Sequence, residues 1–307
     1  MKFIVYGAGA IGAYFGGRLV EAGEDVTFFV RERRAQQLAD GLCIESPEGN
    51  FTASVHVATA VAQVSEADVI IVAIKGYHVA DALPQIIELA QKTNAYVLPL
   101  LNGIEHVTLL QQQLGNDKVL GGFAAIIATL NEQGHVLHSS KGSSVQFGAL
   151  HTSQQSIVEK LAALNERVNT SFIASHNILA GMWKKYMLIT AFSGVTSATQ
   201  QPARALNMYA PTLKLAQSIV YEVAQLAKLE GVTITDDEVA KEASRLAKFD
   251  DAMTSSMHQD LRKGLPLEVE HLHGGALRLA QKHGVDVPFI TCIYGILQPY
   301  ANGQVAE

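Results

Sequence analysis

Cysteine is scarce in this sequence. Its 307 residues include only two cysteines, Cys43 and Cys292, which lie far apart and outside any CxxC or Cys/His spacing. The scarcity excludes a disulfide framework, and the spacing gives no indication of a zinc motif. Because sparse, unpaired cysteine is typical of proteins from a reducing compartment, we predict a cytoplasmic protein.

An excess of basic charge is also absent. The chain has 23 lysine and arginine residues against 29 aspartate and glutamate residues, which gives a formal net charge of -6. No positive field is therefore available to attract the phosphate groups of a nucleic acid. We predict that DNA and RNA are not partners of this protein.

Long apolar runs are missing as well. A membrane-spanning helix needs roughly 18 or more apolar residues in succession, and no stretch of the sequence meets that requirement. The opening residues 1–17 are small and apolar like a signal peptide, but they are rich in glycine and have no basic residue besides Lys2. We therefore predict neither a membrane span nor a signal peptide.

Strand patterns dominate the first part of the chain. They occur at residues 2–6, 25–31, 67–75 and 95–103, with helical patterns among them. The core of the third stretch is continuously apolar, as expected for a parallel strand that is covered on both faces. We predict a parallel Rossmann-type sheet flanked by helices. Strand patterns broken by turn residues over 118–148 predict appended antiparallel strands.

The rest of the chain has a helical pattern. At 307 residues the chain is long enough for two hydrophobic cores. The sequence therefore predicts an α/β protein with an N-terminal Rossmann domain over residues 1–175 and an all-α C-terminal domain over 176–307. The predicted helices of the second domain span residues 181–198, 208–230, 236–263 and 267–283, with one more beginning at Pro288.

A glycine-rich loop follows the first strand. The sequence "GAGAIG" matches the GxGxxG pattern between a strand and a helix, the context in which this pattern binds the pyrophosphate of a dinucleotide. The alternative is a glycine-rich turn without a ligand. The residues predicted to bind the cofactor in this loop are Gly7, Ala8, Gly9, Ala10, Ile11 and Gly12.

The second strand ends without the acidic residue that accepts a hydrogen bond from the ribose of NAD. Its place is taken by Arg31, whose guanidinium group suits the 2′-phosphate of NADP. One such charge-assisted bond would favour NADPH over NADH by about 10- to 150-fold, and the adjacent Glu32 could reduce that preference. We assign Arg33 and Arg34 to a solvated loop.

Two adjacent lysines stand near the start of the apolar helix predicted over residues 181–198. Side chains of neighbouring residues on a helix point about 100° apart, so only one of Lys184 and Lys185 can face a substrate. From the residues alone, each is most simply a lysine whose ammonium group reaches water along its apolar stem. Lys185 shares its helix face with Ile189 and Ser193, which could together line a polar pocket.

The motifs together resemble those of the ketopantoate reductase family (2-dehydropantoate 2-reductases), over nearly the full length and in the same order. The resemblance implies an N-terminal Rossmann domain, a helical C-terminal domain, and NADPH-dependent reduction of a 2-oxo acid in the cleft between them. For the family's own reaction this is the conversion of 2-dehydropantoate to pantoate in pantothenate synthesis. The matching motifs are "GAGAIG" at 7–12, "VR" at 30–31, "AIKGYHV" at 73–79, "LLNGI" at 100–104, "MWKK" at 182–185, and "SSMHQDL" followed by "LEVE" at 267–270.

The resemblance also implies roles for individual residues. It identifies Lys185 as the catalytic lysine and Glu268 as the acid at the substrate, and it leaves Lys184 as a surface lysine. Asn102 and Lys75 match residues beside the cofactor and the substrate, and Ser256 matches a serine that hydrogen-bonds the substrate. A lysine suits this chemistry, because hydride delivery to a ketone builds negative charge on the oxygen, which a cation can stabilise and protonate. Whether Glu268 binds the substrate or holds the lysine stays open.

Two departures from the family pattern bear on the substrate. Where family members that reduce ketopantoate commonly have asparagines four and eight residues after the lysine, this chain has Ile189 and Ser193. We retain Ser193 as a candidate substrate-binding residue. Where the family often reads "NG", this chain has His273 followed by Gly274. The alternatives are a related reductase of another 2-oxo acid and a non-catalytic NADPH-binding sensor, which would need neither Lys185 nor Glu268.

The sequence predicts no metal ion. His271 and His273 lie near two glutamates, but residues two apart on a helix point to different sides and lack the i,i+4 spacing that chelates a metal. The expected partner is a small-molecule 2-oxo acid, and a homodimer stays open.

Overall fold

Residues 1–303, the part of the chain that the computed structural model describes, form two units. The sheet unit comprises Met1–Leu101 and His106–Ile178, and the helical unit comprises Asn102–Glu105 and the chain from Leu179 onward. The sequence placed one boundary near residue 175. The short segment Asn102–Glu105 belongs to the helical unit, although the chain before and after it belongs to the sheet unit. Local sequence patterns do not indicate this exchange.

The predicted parallel sheet is confirmed. Five strands pair in the order β5-β2-β1-β6-β7, and every pair is parallel. The four residues of β6 are all buried, as its continuous apolar pattern indicates. The strands of the sheet unit are β1 (Lys2–Tyr6), β2 (Asp25–Phe29), β3 (Leu42–Glu45), β4 (Phe51–Ala53), β5 (His56–Ala58), β6 (Val69–Val72), β7 (Tyr96–Pro99), β8 (Gly121–Ala125), β9 (Ala128–Leu130), β10 (Val136–His138), β11 (Ser144–Gly148) and β12 (Ser171–Ala174).

The strands predicted over residues 118–148 are present, but they belong to two separate small sheets. One sheet has the order β4-β3-β10-β9 and the other the order β12-β11-β8. The first sheet has two antiparallel pairs and one parallel pair, β3 with β10, and the second has one antiparallel pair and one parallel pair, β11 with β12. Because these parallel partners come from distant parts of the chain, a hairpin pattern alone could not indicate them.

The predicted change to a helical second half is confirmed. The helices are α1 (Ala10–Glu21), α2 (Glu32–Leu38), α3 (Val79–Thr93), α4 (Glu105–Leu114), α5 (Gln155–Ala162), α6 (Ile178–Thr199), α7 (Arg204–Met208), α8 (Ala210–Leu229), α9 (Asp236–Arg245), α10 (Ser256–Arg262), α11 (Gly275–His283) and α12 (Pro288–Leu297).

The prediction of a single helix over residues 236–263 is wrong. The structure divides it into α9, a short 3-10 turn at Leu246–Lys248 and α10. Short polar side chains between the helices bond to the backbone, with Asp250 Oδ1 accepting from the Ala252 amide and Ser255 Oγ accepting from the His258 amide. Such bonds compete with helical ones and end or begin helices.

Each unit has its own hydrophobic core. The core of the sheet unit forms around strands and α1, with fully buried Val5, Phe28 and Ile71. The core of the helical unit forms around α6 and α8, with fully buried Met187 and Val223. Within residues 1–303, no helix combines the length and the apolar character that a bilayer crossing requires.

Candidate functional site

The glycine-rich loop is a tight turn with open space on one side. Gly7 has φ +91, a left-handed conformation that favours glycine, and a Cβ there would lie 3.0 Å from the Ala73 carbonyl oxygen. A Cβ on Gly12 would overlap the Gly7 carbonyl oxygen, whereas a Cβ on Gly9 would meet no atom within 4 Å. The first amides of α1 have no carbonyl partners within the helix. The loop therefore offers an open cradle at a helix N-terminus, which suits an anion.

Arg34 holds this loop, which the sequence did not indicate. Its Nε donates to the Ala8 carbonyl oxygen at 2.8 Å, and its Nη1 donates to the Gly134 carbonyl oxygen at 2.9 Å. The side chain is half-buried and lies on α2, so the assignment of Arg34 to a solvated loop is wrong. The cause is tertiary, because Gly134 lies 100 residues farther along the chain. Arg33 is exposed, as expected, but it also lies on α2 rather than on a loop.

Arg31 and Lys75 both follow parallel strands of the main sheet. Arg31 is exposed and immediately precedes α2. Burial lowers the pKa of His78, and the positive charge of nearby Arg31 lowers that pKa further. Lys75 is half-buried and precedes the short 3-10 turn Gly76–His78. Because the carboxyl ends of parallel strands lie on the same side of a sheet, both residues lie at the carboxyl-terminal ends of the strands, where the glycine loop also lies.

The two lysines of α6 have different environments. Lys185 keeps part of its surface exposed, but its ammonium group is surrounded by protein, and this desolvation lowers its pKa to about 8, although the charge of Glu268 raises it. Lys184 instead donates to a carboxylate oxygen of Glu238 at 2.8 Å, and both of these side chains are partly exposed. Lys185 is thus held beside a buried acid, whereas Lys184 forms a surface ion pair.

Glu268 and Asn102 complete a cluster around Lys185. Glu268 is only 2% exposed, and the side-chain amide of Asn102 donates to its Oε2 at 3.3 Å. The chain beyond Glu268 forms a π-helical turn at Glu270–Gly274 before α11 begins. Turns of this type are frequent at functional sites. Three residues from widely separated motifs are therefore brought together within the helical unit.

Arg278 fixes the segment that carries Asn102. Its Nε and Nη2 donate to the two carboxylate oxygens of Glu105 at 2.9 and 2.7 Å, a bidentate arrangement. Its Nη1 donates to the carboxylate of Glu270. The ion pairs raise the pKa of Arg278, which therefore stays charged. The sequence indicated neither Glu105 nor Arg278, because the two residues are 173 positions apart.

Tyr186 links α6 to the chain that carries Glu268. Its side chain is 1% exposed, and its hydroxyl donates to the Leu272 carbonyl oxygen. Burial raises the pKa of Tyr186, so the phenol stays neutral. Because Tyr186 follows Lys185 directly, this bond helps to set the position of the lysine relative to Glu268.

The candidate serines differ in position. Ser193 lies on α6, two helical turns beyond Lys185, and is 5% exposed. Ser256 is exposed in the first turn of α10. The neighbouring Ser255 is buried, and its hydroxyl lies 3.0 Å from Thr196 Oγ1 on α6. The structure therefore brings Ser255 to the helix that carries Lys185, whereas Ser256 faces solvent.

His271 and His273 face different segments, as their spacing predicts. A Cβ on Gly103, which has φ +81, would lie 3.1 Å from the His271 ring. Burial lowers the pKa of His271, and Glu268 opposes that change. His273 is fully buried against Gly194 of α6, and burial lowers its pKa to about 4. The two imidazole rings therefore contact different segments of the helical unit, and burial favours the neutral form of each.

Two family models match the chain. The model described as ketopantoate reductase PanE/ApbA matches residues 3–152, and the model of the C-terminal part of the same family matches residues 177–301. The first match covers the glycine loop and the main sheet. The second covers α6 and the helices after it.

Individual proteins resemble the chain over nearly their full lengths. An uncharacterized oxidoreductase of Bacillus subtilis, YkpB, is 32% identical, with 98% of this chain and 99% of the relative covered. A 2-dehydropantoate 2-reductase of a Nostoc species is 28% identical, with 95% and 93% covered. The crystal structure of a PanE/ApbA family ketopantoate reductase from Ralstonia eutropha has a TM-score of 0.86 at 27% identity, with 98% of each chain covered.

Proposed function

The chain belongs to the ketopantoate reductase family, and we propose that it reduces a 2-oxo acid to a 2-hydroxy acid with NADPH, with 2-dehydropantoate as the substrate. The observation that carries this proposal is the cluster of Lys185, Glu268 and Asn102. A desolvated lysine beside a buried carboxylate has a perturbed pKa, as groups that transfer protons commonly do.

The residues of the sheet unit fit a dinucleotide. The open space at Gly9 and the free amides of α1 suit a pyrophosphate, which residues 7–12 would hold. Arg31 is exposed at the end of the second strand, where it would meet a 2′-phosphate, and Lys75 lies at the same sheet edge. When bound, the dinucleotide supplies a hydride.

We expect Arg31→Ala to reduce the preference for NADPH over NADH. The unmodified protein should bind NADPH more tightly by about 10- to 150-fold, because the guanidinium group adds one charge-assisted contact to the 2′-phosphate. Fluorescence titration with each dinucleotide measures both affinities. The adjacent exposed Arg33→Ala is the matched control and should leave the preference unchanged. Equal affinities in the unmodified protein would refute the assignment.

The helical unit supplies the groups that act on the oxo acid. Reduction leaves negative charge on the former carbonyl oxygen, which the Lys185 ammonium group stabilises and to which its Nζ donates a proton. Glu268 keeps that nitrogen protonated and accepts a hydrogen bond from a substrate hydroxyl. Asn102 orients the Glu268 carboxylate through its amide, and the Glu105–Arg278 pair holds Asn102 in place.

The second candidate is a reductase of a different 2-oxo acid. Ile189 and Ser193 on the Lys185 face of α6 offer no side-chain amide to orient a substrate. The family name and the Nostoc relative support 2-dehydropantoate, whereas these two residues favour the second candidate.

We expect the KM for ketopantoate of the unmodified protein to be higher than that of family members with asparagines at the positions of Ile189 and Ser193. The double substitution Ile189→Asn and Ser193→Asn should lower that KM, because two amides become available to orient the substrate. Steady-state kinetics measure the change, and the thermal midpoint of unfolding checks that the buried amides are tolerated. A KM for ketopantoate well below that for other 2-oxo acids in the unmodified protein would show that other groups do the orienting.

One assay tests the proposed function. NADPH absorbance is followed with purified protein and a panel of 2-oxo acids that includes ketopantoate. We expect substrate-dependent oxidation of NADPH. Dinucleotide binding without turnover on any member of the panel would instead favour a non-catalytic NADPH-binding sensor.

A further inference from the structure

Three side chains with metal-binding atoms share the outer face of one small sheet. Leu42 and Ile44 of β3 are fully buried, so the alternation of a strand turns Cys43 and Glu45 to the opposite face. Cys43 is half-buried and Glu45 is exposed. The inward residues anchor the strand in the core, and the outward thiol and carboxylate stand two residues apart on its other face.

His135 joins this face from the neighbouring strand. β10 runs parallel to β3, with Val136 paired to Ile44, so His135 comes one step earlier and lies beside Cys43. Val136 is fully buried, and His135 is therefore also turned outward. The Cys43 thiol, a Glu45 carboxylate oxygen and a His135 ring nitrogen all lie within 4.8 Å of one another.

The backbone at His135 is held in place. Its amide donates to Asn131 Oδ1 at 2.8 Å, and its carbonyl oxygen accepts from the Asn131 amide at 3.0 Å. Arg34 Nη1 donates to the carbonyl oxygen of the preceding Gly134 at 2.9 Å. A ligand on a fixed backbone loses little conformational freedom when it binds an ion.

We propose that Cys43, Glu45 and His135 bind a zinc ion. Thiolate, imidazole and carboxylate are the three zinc ligands of proteins, and a thiolate selects against magnesium and calcium. Zinc bond lengths place tetrahedral ligand atoms about 3.5 Å apart, and all three pairs of candidate ligand atoms lie within 4.8 Å. The Cys43 thiol loses its proton to solvent on binding, and water takes the fourth position.

The sequence could not indicate this site. Its expectation of no zinc motif rested on short spacings, whereas here the cysteine and the histidine are 92 positions apart. Parallel pairing of β3 with β10 brings them together. The proposed site uses none of the residues assigned to 2-oxo acid reduction, so each proposal can fail without the other.

The test is zinc binding by the purified full-length protein. After treatment with a chelator, the protein is dialysed against zinc chloride and then metal-free buffer, and its zinc is measured. We expect about one ion per chain. Cobalt(II) in place of zinc should give a thiolate charge-transfer absorption band. No retained zinc, or cobalt binding without that band, would overturn the proposal.

Matched variants localise the ion. Cys43→Ser and His135→Gln should weaken zinc binding by at least about tenfold, whereas Cys292→Ser, at the second cysteine, should bind like the unmodified protein. Glu45→Gln provides a further variant at an exposed position where folding is not at risk, and it should also bind more weakly. Far-ultraviolet circular dichroism checks that each variant is folded. Undiminished zinc binding by folded Cys43→Ser, His135→Gln or Glu45→Gln would contradict the proposed ligand set.

Discussion

Lys185→Ala should lower kcat for 2-oxo acid reduction by about 10²- to 10³-fold, the usual cost of losing a preorganised electrostatic donor. The ammonium group is desolvated and lies beside Glu268, so its charge acts in a medium that screens it weakly. The affinity for NADPH should change little, since the cofactor loop belongs to the sheet unit. Steady-state kinetics and a dinucleotide titration measure the two quantities.

Lys184→Ala is the control for this prediction. Lys184 is the preceding residue on the same helix, but its ammonium group pairs with Glu238 at the surface. Its loss should leave kcat nearly unchanged, because the lysine lies outside the cluster around Lys185 and a surface ion pair contributes little to the stability of the fold. Similar losses of kcat in both variants would point to general damage to α6. Full activity of Lys185→Ala would refute its catalytic role.

Glu268→Gln should lower kcat/KM by about 10- to 150-fold, the cost of losing one hydrogen bond to a charged group. The substitution keeps the shape of the side chain but removes the charge. Since the charge of Glu268 raises the pKa of Lys185, its loss should lower that pKa further below about 8. Activity is expected to decline at alkaline pH as Lys185 loses its proton. This alkaline decline should therefore move to lower pH in the Glu268→Gln variant.

The surface carboxylate Glu238 is the control for Glu268. It pairs with Lys184 as Glu268 lies beside Lys185, but its side chain is 41% exposed. Glu238→Gln should change neither kcat/KM nor the position of the alkaline decline. An unshifted decline in Glu268→Gln, with activity reduced, would mean that Glu268 acts on the substrate rather than on the lysine. Activity equal to that of the unmodified protein would remove Glu268 from the site.

The fold was predictable because its signals are local. The first strand, the glycine loop and α1 follow one another within 21 residues, and each has its own pattern of apolar and glycine residues. The apolar run of β6 indicated a covered parallel strand, which the structure confirms. The second half was recognisable as helical, although short polar residues around Asp250 and Ser255 divide one predicted helix into two.

The site was predictable only in part, because its supporting contacts are distant in sequence. Lys185 and Glu268 were indicated by motifs, but no pattern showed that Arg278 would hold Glu105 and so bring Asn102 to Glu268. The motif indicated Ser256, but the hydroxyl that lies near α6 belongs to Ser255. Ser255 directly precedes α10 and Ser256 is the first residue of that helix, a helix start that a sequence pattern does not fix to one residue. Arg34 looked like a solvated arginine because its carbonyl partners lie on other loops.

The most direct test of the catalytic role of Lys185 is the pH dependence of kcat/KM for the best 2-oxo acid. The pH dependence of kcat/KM reports the pKa values of the essential ionisable groups in the free enzyme. If the Lys185 ammonium group stabilises and protonates the developing alkoxide, activity should fall as pH rises through about 8, the pKa of the desolvated lysine. That decline should be absent from the residual activity of Lys185→Ala. A profile that stays flat well above pH 8, or the same decline in both proteins, would contradict the account.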